Sequence, residues 1–437
     1  MNNWRKVTIG EISQIVKDKI SIDEIELEQY ISTENIKPDL QGVELSSGLP
    51  KSAKVDSFRK DDILFSNIRT YFRKVWLASF DGAASGDVLV FRADNEEIKP
   101  TFLYYHLSSN QFIDYTVTTS KGTKMPRGDK SAILNFEINL PSLPEQKSIA
   151  HILGTLDDKI ELNRKMNETL EEMAQGLFKS WFVDFDPVLD KALAAGHEIP
   201  EPLQAKGEKR KALGDKRKAL PQEITDLFPD RFVFTEELGW IPEGWEVSNI
   251  GNEFNVTMGQ SPPGSTYNEN SEGIRFFQGK ADFGFRYPTD RIYCSEPKRF
   301  ASEGDTLMSV RAPVGDVNIA LNDCSIGRGL CAIRHKSSSK SYTYYFMKHK
   351  KAILDSYESG GTVFGSINQK QLKSLEAFGN IESIISAFHK ISSSQDEKIE
   401  LNSRELLSLS QTRDTLLPKL ISGELRVPEA EEIVEDI

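Results

Sequence analysis

Twice along this 437-residue chain, cationic and amide side chains gather beside glycine-bearing loops in a way suited to holding a polyanion. Asn67, Arg69, Arg73 and Lys74 surround Tyr71 and Phe72, while Lys121, Lys124 and Arg127 flank Gly122 and Thr123. Further on, Arg275, Lys280, Arg286 and Arg311 accompany a loop running from Gly360, Gly361 and Thr362 to Ser366. Guanidinium and ammonium groups reach phosphates or guanine edges, and a carboxamide pairs bidentately with adenine. Any one of these residues alone reads equally well as surface charge or a loop glycine. Their similar placement in two clusters is what points to nucleic acid.

Catalytic chemistry fares worse. Ser261-Pro262-Pro263-Gly264 resembles the motif with which amino-methyltransferases hold an extruded base. Gly264 lacks the stacking ring, and no glycine-rich cofactor loop follows a strand upstream. Gly273 to Lys280 imitates a phosphate loop, but the spacing is one residue too long and Ala281 replaces the metal-binding hydroxyl. Asp290 with Glu296-Pro297-Lys298 imitates a nuclease triad, yet Pro297 would disrupt the strand that aligns such carboxylates. The three cysteines form no C-x-x-C pair and the six histidines are scattered, which excludes a disulfide framework and disfavours zinc. We therefore expect no catalytic residue, no metal site and no cofactor in this chain.

A formal charge of −12 argues against nucleic acid until its distribution is considered. Residues 381–437 carry 6 basic and 12 acidic side chains, whereas residues 240–380 carry 16 and 15. The acid is concentrated late, so local basic faces survive. No run of 18 apolar residues and no signal-peptide pattern occurs, and a cytoplasmic location is expected.

The elements that must position the clusters are two long helices. Ile149, Leu153, Leu156, Ile160, Asn163, Asn167, Leu170, Ala174, Leu177 and Trp181 recur at steps averaging 3.5 residues, a coiled-coil seam that needs a partner helix. The segment Asp396 to Asn402 nearly repeats Asp157 to Asn163, which extends the pattern to Phe388, Ile399, Asn402, Leu406, Leu409 and Leu416. Each helix is expected to run roughly 35 residues, about 50 Å, with Asn163 and Asn402 as polar seam positions that fix register.

Matches at similar offsets continue outside the helices. Trp4 and Ile9-Gly10 answer Trp245 and Ile250-Gly251, Asp62 to Ser66 answers Asp305 to Ser309, and Tyr104 to Leu107 answers Tyr344 to Met347. Strands are expected at 62–66, 75–79 and 88–92, then 306–310 and 317–321, with helices at 101–114 and 341–356. The fold class is α+β. Two tandem mixed units are separated by two long antiparallel helices, with an internal pseudo-twofold repeat: 1–144 first unit, 145–186 first helix, 187–239 connector, 240–380 second unit, 381–426 second helix and 427–437 an acidic tail. Four prolines are expected to interrupt the connector, whose basic runs at 206–211 and 216–218 read as solvated faces.

In order along the chain, Leu140 to Gln146, Leu177 to Phe185, Leu238 to Trp245, Met258 to Gly264 and Leu416 to Leu425 resemble segments of the specificity subunit of type I restriction-modification systems. The resemblance covers nearly the whole chain. It implies two target-recognition domains, each reading half of a split DNA sequence, with the conserved helices acting as a ruler between them. It also implies two copies of a DNA adenine methyltransferase subunit and translocating endonuclease subunits as partners, carrying S-adenosylmethionine, ATP and Mg. Segment Ala377 to Asn380 departs from the proline-rich approach to the first helix, so partner contacts there are expected to differ. The rival readings are a protein-binding adaptor, slightly favoured by the acidic charge, and a stand-alone DNA enzyme.

Overall fold

The computed structural model describes residues 4–93, 96–216, 220–359 and 365–435. The chain packs as two units, Met1–Lys165 with Arg404–Ile437, and Met166–Ser403. Each long helix is thus divided between both units, a partition that a linear succession of domains does not contain.

In the first unit, Arg5–Thr8 pairs antiparallel with Glu137–Leu140. An antiparallel sheet runs Ser13–Ile15, Val88–Ala93, Ile63–Ser66, Val75–Leu77 in spatial order. Side chains alternate across its central strands. Ile63, Phe65, Leu89 and Phe91 join a core with Phe102 and Phe112, while Leu64, Val88 and Val90 pack with Phe58 and Ala84 of a second sheet. Burial on both faces explains why these strands read as continuous apolar runs. The expected helix over 101–114 is two, Pro100–Ser108 and Asn110–Thr118, because Ser109 turns extended (ψ 146°) and its hydroxyl caps Phe112 N at 3.3 Å.

The second unit repeats this order. Glu246–Asn249 pairs with Glu376–Gly379. The sheet is Phe254–Met258, Leu330–His335, Thr306–Ser309, Val317–Ile319, with Met308, Cys331 and Ile333 on one face and Leu307, Leu330 and Ala332 on the other. Lys340–His349 and Lys351–Ser359 again replace one expected helix.

The long helices are Leu143–Phe182 and Glu382–Ser422, 40 and 41 residues; the first starts two residues before its expected span and stops four short of it, and the second stops four residues short of 426. Ile149, Leu153, Leu156 and Ile160 pack with Leu409 and Leu416 in the first unit's core, and Ala174, Phe178 and Trp181 pack with Phe388 in the second unit's. Ile399, Asn163 and Asn402 are buried, whereas Leu170, Leu177 and Leu406 are half-buried. Asn402 donates to Asn167 Oδ1 at 2.9 Å. Its facing partner is therefore not its repeat twin Asn163, because antiparallel helices oppose residues from opposite ends.

In the connector the prolines confine the chain to short elements, as expected, and several of them also open helices. Pro187 and Pro202 sit in the first turns of Asp186–Ala195 and Glu201–Leu213, and Pro200 and Pro221 stand just before helices, where a missing N–H costs nothing. Lys206 and Arg210, one turn apart, pair with Asp184 and with Asp186 and Asp190, so one stripe of the basic run is engaged rather than solvated. Arg217 and Lys218 lie outside the described residues. The acidic tail folds as a helix, Val427–Glu435, with Ala430 buried in the first unit's core.

Candidate nucleic-acid interface

In the first unit, the two expected clusters meet. The strand Ile63–Ser66 ends in a turn whose Arg69 and Arg73 both adopt left-handed backbone (φ 50° and 49°), a conformation that costs energy for a non-glycine residue. The turn pushes Tyr71 and Phe72 outward, their rings 4.7 Å apart and about half exposed. Its backbone is laced to the second loop. Arg69 N donates to Pro126 O at 2.9 Å, Gly128 N to Asn67 O at 3.2 Å, and Lys121 and Arg127 exchange bonds of 2.8 and 2.9 Å.

The expected contact residues then sort by what holds them. Arg69, Thr123 and Lys124 are exposed, and Arg69 and Lys124 have no carboxylate partner among the described residues. Lys121 and Arg127 are exposed but pair with Asp129 and, at 2.8 Å, with Asp87. The bond from Lys121 and the amides of Ser131 and Ala132 hold the Asp129 carboxyl below its ordinary range. Asn67, Arg73 and Lys74 turn inward. Asn67 is buried under Gly128, where an added Cβ would stand 2.7 Å from its Oδ1. Arg73 reaches Ser108 O at 3.4 Å and lies 3.9 Å from Asp414 on the second long helix. Lys74 donates to Thr33 O at 2.7 Å, and burial pulls its ammonium down against the opposing pull of Glu44 and Glu34. These three support the loops rather than face outward.

The second unit builds the same junction. Val310 N donates to Gly329 O at 2.9 Å, Ala312 N to Gly365 O at 3.0 Å and Ile367 N to Val310 O at 3.0 Å, which joins the Arg311 turn to the Ser366 loop. Arg311 and Ser366 are exposed; Thr362 lies outside the described residues. Arg275 and Lys280 are partly exposed and pair with Asp290 and, at 2.6 Å, with Asp316. Arg286 overturns its expectation. It is wholly buried, its Nη1 2.9 Å from Glu171 Oε2, its Nη2 on Asp396, and its guanidinium 4.7 Å from the Tyr344 ring centre. No ligand could reach it without unpacking the unit.

Sequence reasoning missed Arg328, which stands exposed between Gly327 and Gly329 at the end of strand Cys324–Ile326, its N–H donated to Ser261 Oγ at 3.1 Å. The Gly-Arg-Gly signal was visible, but a search for repeated residues passes over a cation present once. Among the described residues no group of three or more His, Cys, Asp or Glu is placed to hold a metal ion. All three cysteines are buried, and burial pushes the Cys324 and Cys331 thiols up to about 12, far from a thiolate nucleophile. No described helix is long and apolar enough to cross a membrane.

Against known proteins, the type I restriction modification DNA specificity domain matches residues 1–172 and 242–376. The chain is 30% identical to the MjaX type I restriction enzyme specificity subunit named in Methanocaldococcus jannaschii, over 84% of this chain and 79% of that protein. It is 27% identical to the type I restriction enzyme HindI specificity subunit of Haemophilus influenzae, over 97% of this chain and 100% of that one. Its fold matches the crystal structure of a type I restriction-modification S subunit from M. genitalium with a TM-score of 0.55 at 18% identity, covering 96% of each.

Proposed function

The chain belongs to the type I restriction-modification DNA specificity family, and on that premise we propose that its two units read the two halves of a split DNA target for a methyltransferase partner. One observation carries the reading: the same pair of hydrogen-bonded loops, tipped with Arg69 and Lys124 in one unit and Arg311 in the other, is built twice on a duplicated scaffold. Exposed cations on such loops engage phosphates and set register, while neighbouring side chains read base edges in the major groove. The recognised sequence would then be two short half-sites around an unread gap.

The chain itself performs no chemistry in this proposal and needs no cofactor. Adenine methylation falls to two methyltransferase copies using S-adenosylmethionine, and ATP- and Mg-dependent translocation to endonuclease subunits, all in the cytoplasm. A duplicated scaffold presents similar surfaces twice, which suits two copies of one partner. The helices, roughly 60 Å each at 1.5 Å per residue, serve as the ruler, since two readers on one DNA face stand about 34 Å apart.

The test is genome-wide mapping of modified adenine in cells carrying this chain with an adenine methyltransferase subunit, against cells lacking this chain. A new split motif is expected, and removal of one heptad from both helices is expected to alter the gap while the half-sites persist. Unchanged methylation despite a soluble complex would favour the adaptor reading.

A further inference from the structure

We propose that Arg328 reads a guanine in the second half-site, and that the first unit lacks this contact because its structural twin is Gly86; the proposal rests on the reading of each unit as a DNA reader. The equivalence comes from register. Ser309 pairs with Leu330 as Ser66 pairs with Val88, and one step on, Val310 N donates to Gly329 O as Asn67 N donates to Asp87 O, both at 2.9 Å. Gly329 therefore matches Asp87, and Arg328 matches Gly86. Space in front of Gly86 is open, with nothing within 4 Å of an added Cβ. One unit projects a guanidinium where the other projects nothing.

The Arg328 turn is fixed from several sides. A Cβ on Gly327 would fall 2.9 Å from Gln278 Cα, and one on Gly329 would fall 2.5 Å from Gln278 O, so only glycine fits on either side of the arginine. Gly329 N donates to Gln278 O at 3.2 Å, Leu330 N to Gly327 O at 3.0 Å, and Arg328 N to Ser261 Oγ at 3.1 Å. Through Val310 the turn is bonded to the base of the Arg311 loop, which places Arg328 beside the interface already described. Its side chain is exposed and has no partner among the described residues, unlike Arg275, Lys280 and Arg286. Phosphate clamping tolerates a loosely held cation. A planar fork on a rigid, closely packed turn fits the fixed geometry of guanine O6 and N7.

The experiment maps modified adenine genome-wide for wild type, R328A and R328K, each with the methyltransferase subunit. Loss of one bidentate arginine–guanine contact is expected to lower discrimination at one guanine of the second half-site roughly tenfold or more, leaving the first half-site and the gap unchanged. R328K keeps the charge without the fork and is not expected to restore the wild-type motif. Slower methylation of an unaltered motif that R328K rescues would make Arg328 a phosphate contact and overturn the proposal. So would an unchanged R328A profile, or a second half-site without guanine. A wild-type complex that writes no split motif would instead refuse the reading of the units as DNA readers, before any variant is compared.

Discussion

The repeated carboxylates Asp157 and Asp396 occupy the same place in the shared segment of the two long helices, yet each unit neutralises its carboxylate differently. In the first unit Asp157 accepts from Arg413 of the facing helix at 3.0 Å and from Tyr105 at 2.9 Å. In the second, Asp396 takes Arg286 from the globular part together with Ser341, and Arg286 also holds Glu171, which takes Lys348 at 2.6 Å. The first arrangement ties helix to helix through the arginine and reaches the recognition domain only through the neutral Tyr105 hydroxyl. The second ties both helices to the recognition domain through one sealed guanidinium. A duplicated fold thus keeps the acid and changes the source of the base, so the two recognition domains are anchored to their helices by unequal means.

Arg286→Ala tests that inequality most severely. It takes the guanidinium from a buried Glu171, which keeps Lys348, and from a partly buried Asp396, which keeps Ser341, a defect worth about 3–5 kcal/mol, and is expected to unfold the second unit first in urea. Arg413→Ala should cost less, about 2 kcal/mol, because Asp157 is a quarter solvent-exposed and keeps its Tyr105 bond. Equal losses, measured by denaturant titration, would erase the distinction between the two anchors.

Much of this was legible beforehand because repetition and periodicity are properties of the sequence itself. The seam, the strands about Ile63–Ser66 and Thr306–Ser309 and the doubled order of elements follow from apolar spacing. What could not be read was the direction in which a given side chain faces. Arg286 and Arg311 carry the same group, and only the packing against Tyr344 and Glu171 sets one inside. Asn67 looked like a base reader by type, but Gly128 lies over it. Arg328 has a glycine, Gly86, as its counterpart, so comparing the two halves for shared cations is blind to it. The helix break at Ser109 turns on local capping that an apolar stripe does not report.

The halves also differ in how they should answer acid. His106 and Phe346 are twins in the repeat, and burial drives the His106 imidazole down to about 3 from an ordinary 6.5. Between those values the unfolded chain binds the proton and the folded unit refuses it, so stability present above pH 6.5 is lost as pH falls through that window. At pH 5 the loss is roughly 2 kcal/mol. His106→Phe installs the side chain of the second unit, and His106 Nε2 has no hydrogen-bond partner to forfeit. Unfolding at pH 7 and pH 5 should show the wild type losing about 2 kcal/mol more than the variant on acidification. Parallel losses would mean that the buried imidazole is not the source of first-unit acid sensitivity.

Arg69 and Arg311 should differ least, since both are exposed and both stand on loops stitched by the same backbone bonds. As phosphate contacts, each replaced by alanine should reduce the slope of log affinity against log salt by about one and leave the methylated motif intact. Binding titrations of the methyltransferase complex on duplex DNA at several salt concentrations check this, and the double variant should lose about two. The acidic total charge does not oppose the result, because half of it falls in residues 381–437 and the Debye length at physiological salt is about 8 Å. If one of the pair instead changes which base is tolerated, the units differ in how they read DNA as well as in how they are anchored, and the asymmetry seen in the buried cores reaches the surface.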